Sequence, residues 1–376
     1  MQKRKIYGRY VALFLSFLLI FSMLISCEMG SLIREDGSSE EGSESVSEKE
    51  SGSVSENDEG SNSTADTGED VVLPLFFHAL TGEGCTEEQS KIRPLAFVIG
   101  NTNAGLPQNG LSLAEILIEA PIDAAETRLL MLTTRYAEAE KIGSIRAATR
   151  SLATLAESFR AVLVESGSAD GSKGTLESCS SVLSADTEAN GFYKESGRLN
   201  PHNIFTSGSR LQNAMASAGI SAEKTGDAFF SFADEDRDGV LSWEVATHVK
   251  VTYSASQCTE FRYASGSGVY TRYLNGIAQT DEISGKTVTC KNVLILYCNS
   301  TVTETEDEVS LSLSLDSGSG VYATDGSYVS ITWTRTENGA LILKRTGGET
   351  ISINRGTTHI QLVKSSQKAS VVVDCN

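Results

Sequence analysis

The sequence is poor in the residue types on which metalloenzymes, redox enzymes and nucleic-acid binders depend. Its 376 residues include only 4 histidines, and no two of His78, His202, His248 and His359 stand at metal-ligand spacing, which argues against a zinc hydrolase. No Cys-x-x-Cys occurs, so neither a thiol oxidoreductase nor a zinc knuckle is supported. Lys+Arg number 31 against 49 Asp+Glu, a net charge of −18, and no folded stretch offers the broad basic surface that nucleic acid requires. Nucleic acid is therefore excluded as a partner. A glycine-rich phosphate loop followed by Lys-Ser or Lys-Thr is missing. The Gly-Ser-Gly triplets at 266–268 and 318–320 fall between predicted strands, without the strand-to-helix elbow of a serine hydrolase. Prolines number 5 while 40% of residues are apolar, so the chain can bury a real core, and its length points to two domains.

What is present begins with an address. Lys3-Arg4-Lys5, an apolar stretch from Val11 to Ile25, and the ending Leu24-Ile25-Ser26-Cys27 resemble a bacterial lipoprotein signal peptide over residues 1–26. That resemblance implies that Cys27 becomes the lipidated first residue of the mature protein. The alternative is an uncleaved anchor, for which the apolar stretch is short. The rest of residues 27–71 is mostly Ser, Glu, Gly and Asp with few apolar side chains and a charge near −12, too polar to offset the entropy of ordering. It is expected to be a disordered tether with an r.m.s. span of about 36 Å. Six cysteines follow Cys27: Cys85, Cys179, Cys258, Cys290, Cys298 and Cys375. An exported chain permits disulfides, and spacing cannot choose among their pairings. Cys290 and Cys298 are predicted on one strand, about 26 Å apart, and so do not pair with each other.

Two periods divide the body. Over 72–230, short apolar runs (Leu95 to Ile99, Leu129 to Leu132) read as buried strands. Ser112 is predicted to cap a helix carrying Leu113, Ile116 and Leu117, and Ile145, Ala148, Leu152, Leu155, Phe159 and Val162 recur at helical steps. After 247 the period is two: Val309, Leu311, Leu313 and Leu315 alternate with serines, as do Val329, Ile331 and Trp333 with polar residues. Asp325-Gly326, Asn338-Gly339 and Gly347-Gly348 mark hairpin turns. The expected fold class is α+β, a mixed α/β domain over 72–230 followed by an antiparallel β-rich domain over 247–376.

Between them, 231–246 forms an Asp-rich interdomain loop. Asp234, Asp236 and Asp238 with Gly239 match the opening of an EF-hand calcium loop, and Phe230 sits where an entering helix would carry an aromatic. The bidentate acid is one place early, at Glu244, and the residues beyond read as a strand. Ca²⁺ is thus a candidate cofactor here, and an Asp-rich hairpin tip gives the same letters.

Two further features carry chemistry. The loop Arg198-Leu199-Asn200-Pro201-His202-Asn203 is dense in hydrogen-bonding groups, and His202 beside Asn203 can act as a general base or orient a ligand. Arg128 and Arg146 flank apolar elements, and a partly buried arginine must find an acid or an anion. Glu115 and Glu119 are the internal partners to test.

The residues also match a known pattern. Arg93-Pro94 through Asn101, Ala104-Gly105-Leu106-Pro107-Gln108-Asn109-Gly110, Glu119, Thr127-Arg128, Lys141 to Arg146 and Pro201-His202-Asn203 resemble the YerB-like bacterial lipoprotein family. Tyr270, Arg272, Asn275-Gly276, Asp281, Gly285, Lys291-Asn292-Val293, Gly318-Ser319-Gly320 and Trp333 continue the likeness, which covers about residues 74 to 365. The resemblance implies an exported, lipid-anchored, two-domain protein of unknown activity. This chain departs from the pattern at Ala278-Gln279, Glu165 and Thr149. From these readings the candidate ligand-binding residues are Arg93, Asn101, Gln108, Glu119, Arg128, Arg146, His202 and Asn203. The expected function is binding of an envelope protein or cell-wall glycan by a membrane-anchored, extracytoplasmic protein. The rivals are a wall-directed hydrolase or transferase using His202 and Asp281, and a calcium-dependent module through Asp234, Asp236 and Asp238.

Overall fold

Strands in the middle of the chain send alternate side chains into two different cores. Along Leu95–Gly100, Ala96 and Val98 join one hydrophobic cluster while Leu95, Phe97 and Ile99 join another. Ile116–Pro121 and Thr127–Thr133 divide in the same way. A strand covered on both faces shows no period of two, because every letter is apolar. That removes the helix expected after Ser112: Leu111–Leu113 is one 3₁₀ turn, and Ile116 and Leu117 lie on opposite faces of a strand.

The computed structural model describes residues 75–375 apart from 168–175, 177–178, 188, 227, 235–242 and 305–308. Cys27, the expected tether, Asp236 and Asp238 lie outside the described residues. Among those described, the main sheet has twelve strands. From one edge the order runs Thr350–Ile351, Leu341–Arg345, Ser327–Arg335, Ser317–Thr324, Asn292–Cys298 and Thr358–Lys364. It continues through Ile116–Pro121, Thr127–Thr133, Leu95–Gly100, Val162–Glu165 and Val182–Ser184, and the twelfth strand, Glu244–Val245, pairs off this path with Ser327–Arg335. The joint is a parallel pairing of Thr358–Lys364 with Ile116–Pro121, Thr358 opposite Ile116 and Gln361 opposite Glu119. Both sequence modules therefore share one sheet, within a single compact unit over 70–376.

The β-rich second half agrees with the α+β expectation, whereas the first half is also largely strand. The helix read across Ile145 to Val162 is confined to Arg150–Ser158, where Thr149 caps it by accepting from the Leu152 N–H at 3.5 Å. Ile145 instead bridges to Ile99, and the Arg146 N–H donates to the Val98 carbonyl at 2.8 Å. Backbone pairing at this sheet end overrides a helical spacing of apolar residues. The helix lays Leu152, Ala153, Leu155 and Ala156 on the cluster that holds Ala96, Ile118 and Leu294.

A second sheet of six strands pairs Ile277–Ala278, Val269–Leu274, Gln257–Ala264, His248–Ser254 and Val371–Asp374 in that order, with Thr289–Cys290 also on Val269–Leu274. Its Val249, Val251 and Phe261 pack on Val293, Ile295 and Val321 of the main sheet. Here one face is wet, so the period of two was visible in the sequence. The three hairpin turns fall where expected, with Asp325, Gly326, Gly339, Gly347 and Gly348 all at positive φ. All six described cysteines are free thiols.

The triplet Gly318-Ser319-Gly320 does not lie between strands but inside Ser317–Thr324. A Cβ on Gly318 would run into the Tyr297 carbonyl, and one on Gly320 into the Ile295 carbonyl. The glycines let this strand approach its neighbour, which explains the motif without catalysis. Gly320→Ala is expected to cost about 1–3 kcal/mol in chemical denaturation. An unchanged midpoint would show that the strand can move aside.

Candidate functional site

At the end of Leu95–Gly100 four segments meet. Gly100 lies opposite Arg128 across the antiparallel pair, and its N–H donates to the Ser144 carbonyl at 3.0 Å. The Ile145 N–H donates to Ile204 at 2.7 Å, which brings the Pro201-His202-Asn203 loop onto the same edge. That loop turns back on itself, the His202 N–H bonding the Leu199 carbonyl at 2.8 Å. Arg198 fastens it to the loop after the 3₁₀ turn Asn103–Gly105, donating to Gly105 O at 3.3 Å and Pro107 O at 3.0 Å. It also donates to Leu106 O at 3.4 Å, lies over the Phe205 ring, and forms ion pairs with Glu195 at 2.9 Å and Glu282 at 3.3 Å.

The resulting seat is cationic. Arg146 is half-buried, and its Nη1 donates to His202 Nδ1 at 3.1 Å. The same Nη1 lies 3.5 Å from Nε2, and since an arginine can only donate, the ring nitrogen that bonds it accepts. Burial, then Arg146, Arg198 and Arg128 in that order, pull the His202 pKa below its ordinary value. Burial likewise lowers that of Arg146, and among the described residues Arg146 makes no ion pair. Glu115 and Glu119, the acids considered for Arg128 and Arg146, are engaged elsewhere. Arg128 donates to the Ala147 carbonyl at 2.6 Å. Ser144 is fully buried with its Oγ lacking a hydrogen-bond partner, and Asn203 Oδ1 is buried in the same condition. A Cβ at Gly105 would sit 3.4 Å from both His202 Nδ1 and Ser144 Oγ, and one at Gly100 would meet Ser144 Oγ at 3.0 Å. Glycine at both positions lets the backbone pack closely against these polar groups.

Of the predicted residues, Arg128, Arg146, His202 and Asn203 come together, and the others do not face this seat. Asn101, Gln108 and Glu119 form a buried network behind Gly100. Gln108 Nε2 donates to Gly100 O at 3.1 Å and to Asn101 Oδ1 at 3.2 Å, and Asn101 Nδ2 donates to Glu119 at 2.9 Å. Glu119 in turn pairs with Arg272 at 2.6 Å, both side chains being fully buried. Arg93 is buried with its Nε on the Arg160 carbonyl at 2.9 Å. Asp281 caps a turn: its carboxylate accepts from Ser112 N at 3.1 Å and from Ile283 N and Ser284 N at 3.0 Å each. At the departures from the family pattern, Gln279 donates to Gln108 Oε1 at 2.9 Å, and Glu165 accepts from Gly167 N at 2.6 Å.

The calcium motif fares differently at its two ends. Phe230 packs edge to face on Phe229 at 4.7 Å and Phe232 bridges to Ile353, so the chain reaches the loop extended and not as a helix. Asp234 lies 3.9 Å from Arg355, and Glu244, in the short strand Glu244–Val245, accepts from the Tyr328 hydroxyl at 2.7 Å. Among the described residues no group of acids, histidines or cysteines is arranged to hold a metal ion.

Sequence reasoning missed a second polar cluster. Leu80 N–H donates to His78 Nδ1 at 3.3 Å, leaving the ring proton on Nε2, 2.8 Å from Thr134 Oγ1 and 3.3 Å from Glu115. Thr134 also gives its N–H to Glu115 at 2.6 Å. These groups line a cavity of about 300 Å³ with Cys85, Gln89 and Arg135.

A continuous sheet built from two modules, with a polar seat at one strand end, places the chain in a two-domain class. Residues 80–221 match the N-terminal domain, and 249–360 the C-terminal domain, of a family described as a protein of unknown function (DUF3048). The chain belongs to this two-domain, YerB-like family. It is 25% identical over 297 residues to YerB of Bacillus subtilis (strain 168), named as a candidate lipoprotein, spanning 78% of this chain and 87% of that protein. A crystal structure of the Bacillus subtilis YerB protein superposes with a TM-score of 0.70 at 24% identity, covering 80% of this chain and all of that one. The family's unassigned function leaves the seat to be interpreted from its chemistry. Among the described residues no helix is long and apolar enough to cross a membrane.

Proposed function

We propose that this chain is an extracytoplasmic lipoprotein, anchored through Cys27, that binds an envelope protein or cell-wall component at the Arg146–His202 seat. The observation that carries the reading is Arg146: a half-buried guanidinium that makes no ion pair among the described residues, beside the buried Ser144 hydroxyl, whose oxygen finds no hydrogen-bond partner there. Glu126 acts on this cation without forming an ion pair, and a half-buried cation with no acid in contact is costly unless an anion visits it. The lipoprotein-like start of the sequence and the name of the Bacillus relative support the anchor.

Binding is favoured over hydrolysis by the state of the acids. Asp281 spends both oxygens on backbone N–H groups, and the Nδ1 of His202 faces a guanidinium where a catalytic dyad would put a carboxylate. The test is recovery of partners by the full chain from detergent-solubilised envelopes. A component held by the wild type is expected to be lost with Arg146→Ala at unchanged thermal stability. Identical recovery by both proteins would end the proposal.

A further inference from the structure

We propose that the cavity lined by His78, Thr134 and Glu115 is a binding site for a small primary alkylamine, its ammonium group paired with the Glu115 carboxylate. This site shares no residue with the Arg146–His202 seat and goes beyond the binding reading above. The cavity measures about 300 Å³ and lies between the strand Gly84–Cys85, the helix Glu87–Ser90 and the 3₁₀ turn Tyr136–Glu138.

Glu115 carries the inference. It is only 7% exposed, and its backbone is fixed on both sides, the N–H donating to Leu132 O at 3.0 Å and the carbonyl accepting from Thr358 N at 3.1 Å. The donors that reach its carboxyl are the Thr134 N–H at 2.6 Å, the Thr134 hydroxyl at 3.1 Å and His78 Nε2 at 3.3 Å. None of them brings a positive charge at neutral pH, since burial and then Lys224 and Arg135 hold the His78 pKa below its ordinary value. Arg135 acts on Glu115 from a distance and spends its Nε and Nη2 on Glu138, at 3.3 Å and 2.8 Å. Lys224 acts on His78 and Cys85 but does not line the cavity. Glu119, on the same stretch of chain, shows the contrast. Both glutamates are buried, yet Glu119 meets Arg272 at 2.6 Å, whereas Glu115 has open space before it. A buried carboxylate without a cation in contact is costly, and a guest cation supplies what Arg272 supplies to Glu119.

The lining selects the kind of cation. A metal ion needs several ligands, and among the described residues no group of acids, histidines or cysteines is arranged to hold one. An ammonium group carries three donors and is served by one carboxylate with neutral acceptors such as the Thr134 hydroxyl. Glu83, exposed at the cavity and without an ion pair among the described residues, adds negative field. A short hydrocarbon stem has Ile92 and Ala137 to lie against.

The test holds the stem constant and changes the head. The purified full chain is titrated in a calorimeter with butylammonium, butanol and butyrate at matched ionic strength, and the ammonium alone is expected to bind. Burial raises the Glu115 carboxyl to about 7, so on the acid side the guest must displace a proton. His78 and the Cys85 thiol stay uncharged between pH 6.5 and 8, burial lowering the one and raising the other, and Glu138 keeps its pair with Arg135. Affinity should therefore be level above about pH 7 and fall about tenfold per unit below it, with proton release that buffers of different ionisation enthalpy record. Glu115→Gln should weaken binding about tenfold or more and remove the pH dependence. Should that variant fail to fold, Cys85→Met, which adds bulk to the lining and leaves Glu115 in place, carries the same expected loss of affinity. No binding of butylammonium, equal binding of butyrate or butanol, or wild-type affinity in the variant that folds overturns the proposal. None of these outcomes bears on Arg146-dependent capture from envelopes, so the two readings fail separately.

Discussion

Arg272→Met is expected to destabilise the protein by about 3–5 kcal/mol, the usual cost of stranding one partner of a buried ion pair. Arg272 and Glu119 are both fully buried and meet at 2.6 Å. Glu119 also accepts from Asn101 at 2.9 Å, Thr127 at 2.7 Å, Thr259 at 2.7 Å and Gln257 at 3.3 Å. Those hydrogen bonds cannot replace the lost positive charge, and the methionine offers no donor. Adding Glu119→Gln removes the stranded charge and should recover a large part of the loss, a coupling that a double-mutant cycle in urea would read. A loss under about 1 kcal/mol for Arg272→Met would mean that solvent reaches Glu119. The pair matters beyond its energy. Glu119 lies in the first module's strand Ile116–Pro121, while Arg272, Thr259 and Gln257 come from the second sheet. Their bonds hold the two together directly behind Gly100, and so behind the seat.

The parts of this architecture that the sequence displayed are those governed by near neighbours. The alternation in His248–Ser254 and Ser327–Arg335 and the Asp325-Gly326 turn depend on residues a few places apart. Leu95–Gly100 was readable as a buried strand because a short all-apolar run has few other uses. Ile116–Pro121 was not, since its spacing fits a helix face equally well until the two covering cores are known. Arg128, Arg146 and His202 stood out by residue type and by family resemblance. Ser144 did not, because a buried hydroxyl gains meaning only from what surrounds it. Glu119 was offered as an internal partner for Arg128 or Arg146, whereas it pairs with Arg272, 153 residues away, and no local pattern encodes that distance. The same holds for His78 and Thr134, 56 residues apart.

That second cluster makes the folded state sensitive to pH near neutrality. Burial raises the Glu115 carboxyl from 4.5 to about 7, against hydrogen bonds from Thr134 that pull it down. The folded protein therefore holds a proton that the unfolded chain releases. Stability from this group is fully present below about pH 4.5 and is lost as pH rises through about 7, by about 3 kcal/mol at most. His78 works in the opposite sense. Burial first, then Lys224 and Arg135, lower its pKa below 6.5, so its contribution is present above that pH and is lost as pH falls beneath it. Protonation at Nδ1 would also oppose the Leu80 N–H that now donates there. Glu115→Gln keeps an acceptor for the Thr134 N–H and cannot ionise. Relative to wild type it is expected to gain stability steadily between pH 4.5 and 7.5 in urea titrations, while His78→Gln should reverse the acid-side trend. A Glu115→Gln difference that does not vary with pH would show that the carboxyl is ionised throughout. Since Glu115 and Thr134 brace the hairpin of Phe76–Phe77 and Gly84–Cys85 through His78, ionisation should loosen that hairpin first. Amide exchange at Leu80 and Gly84, rising between pH 6 and 8 beyond the intrinsic base-catalysed rate, would register the opening.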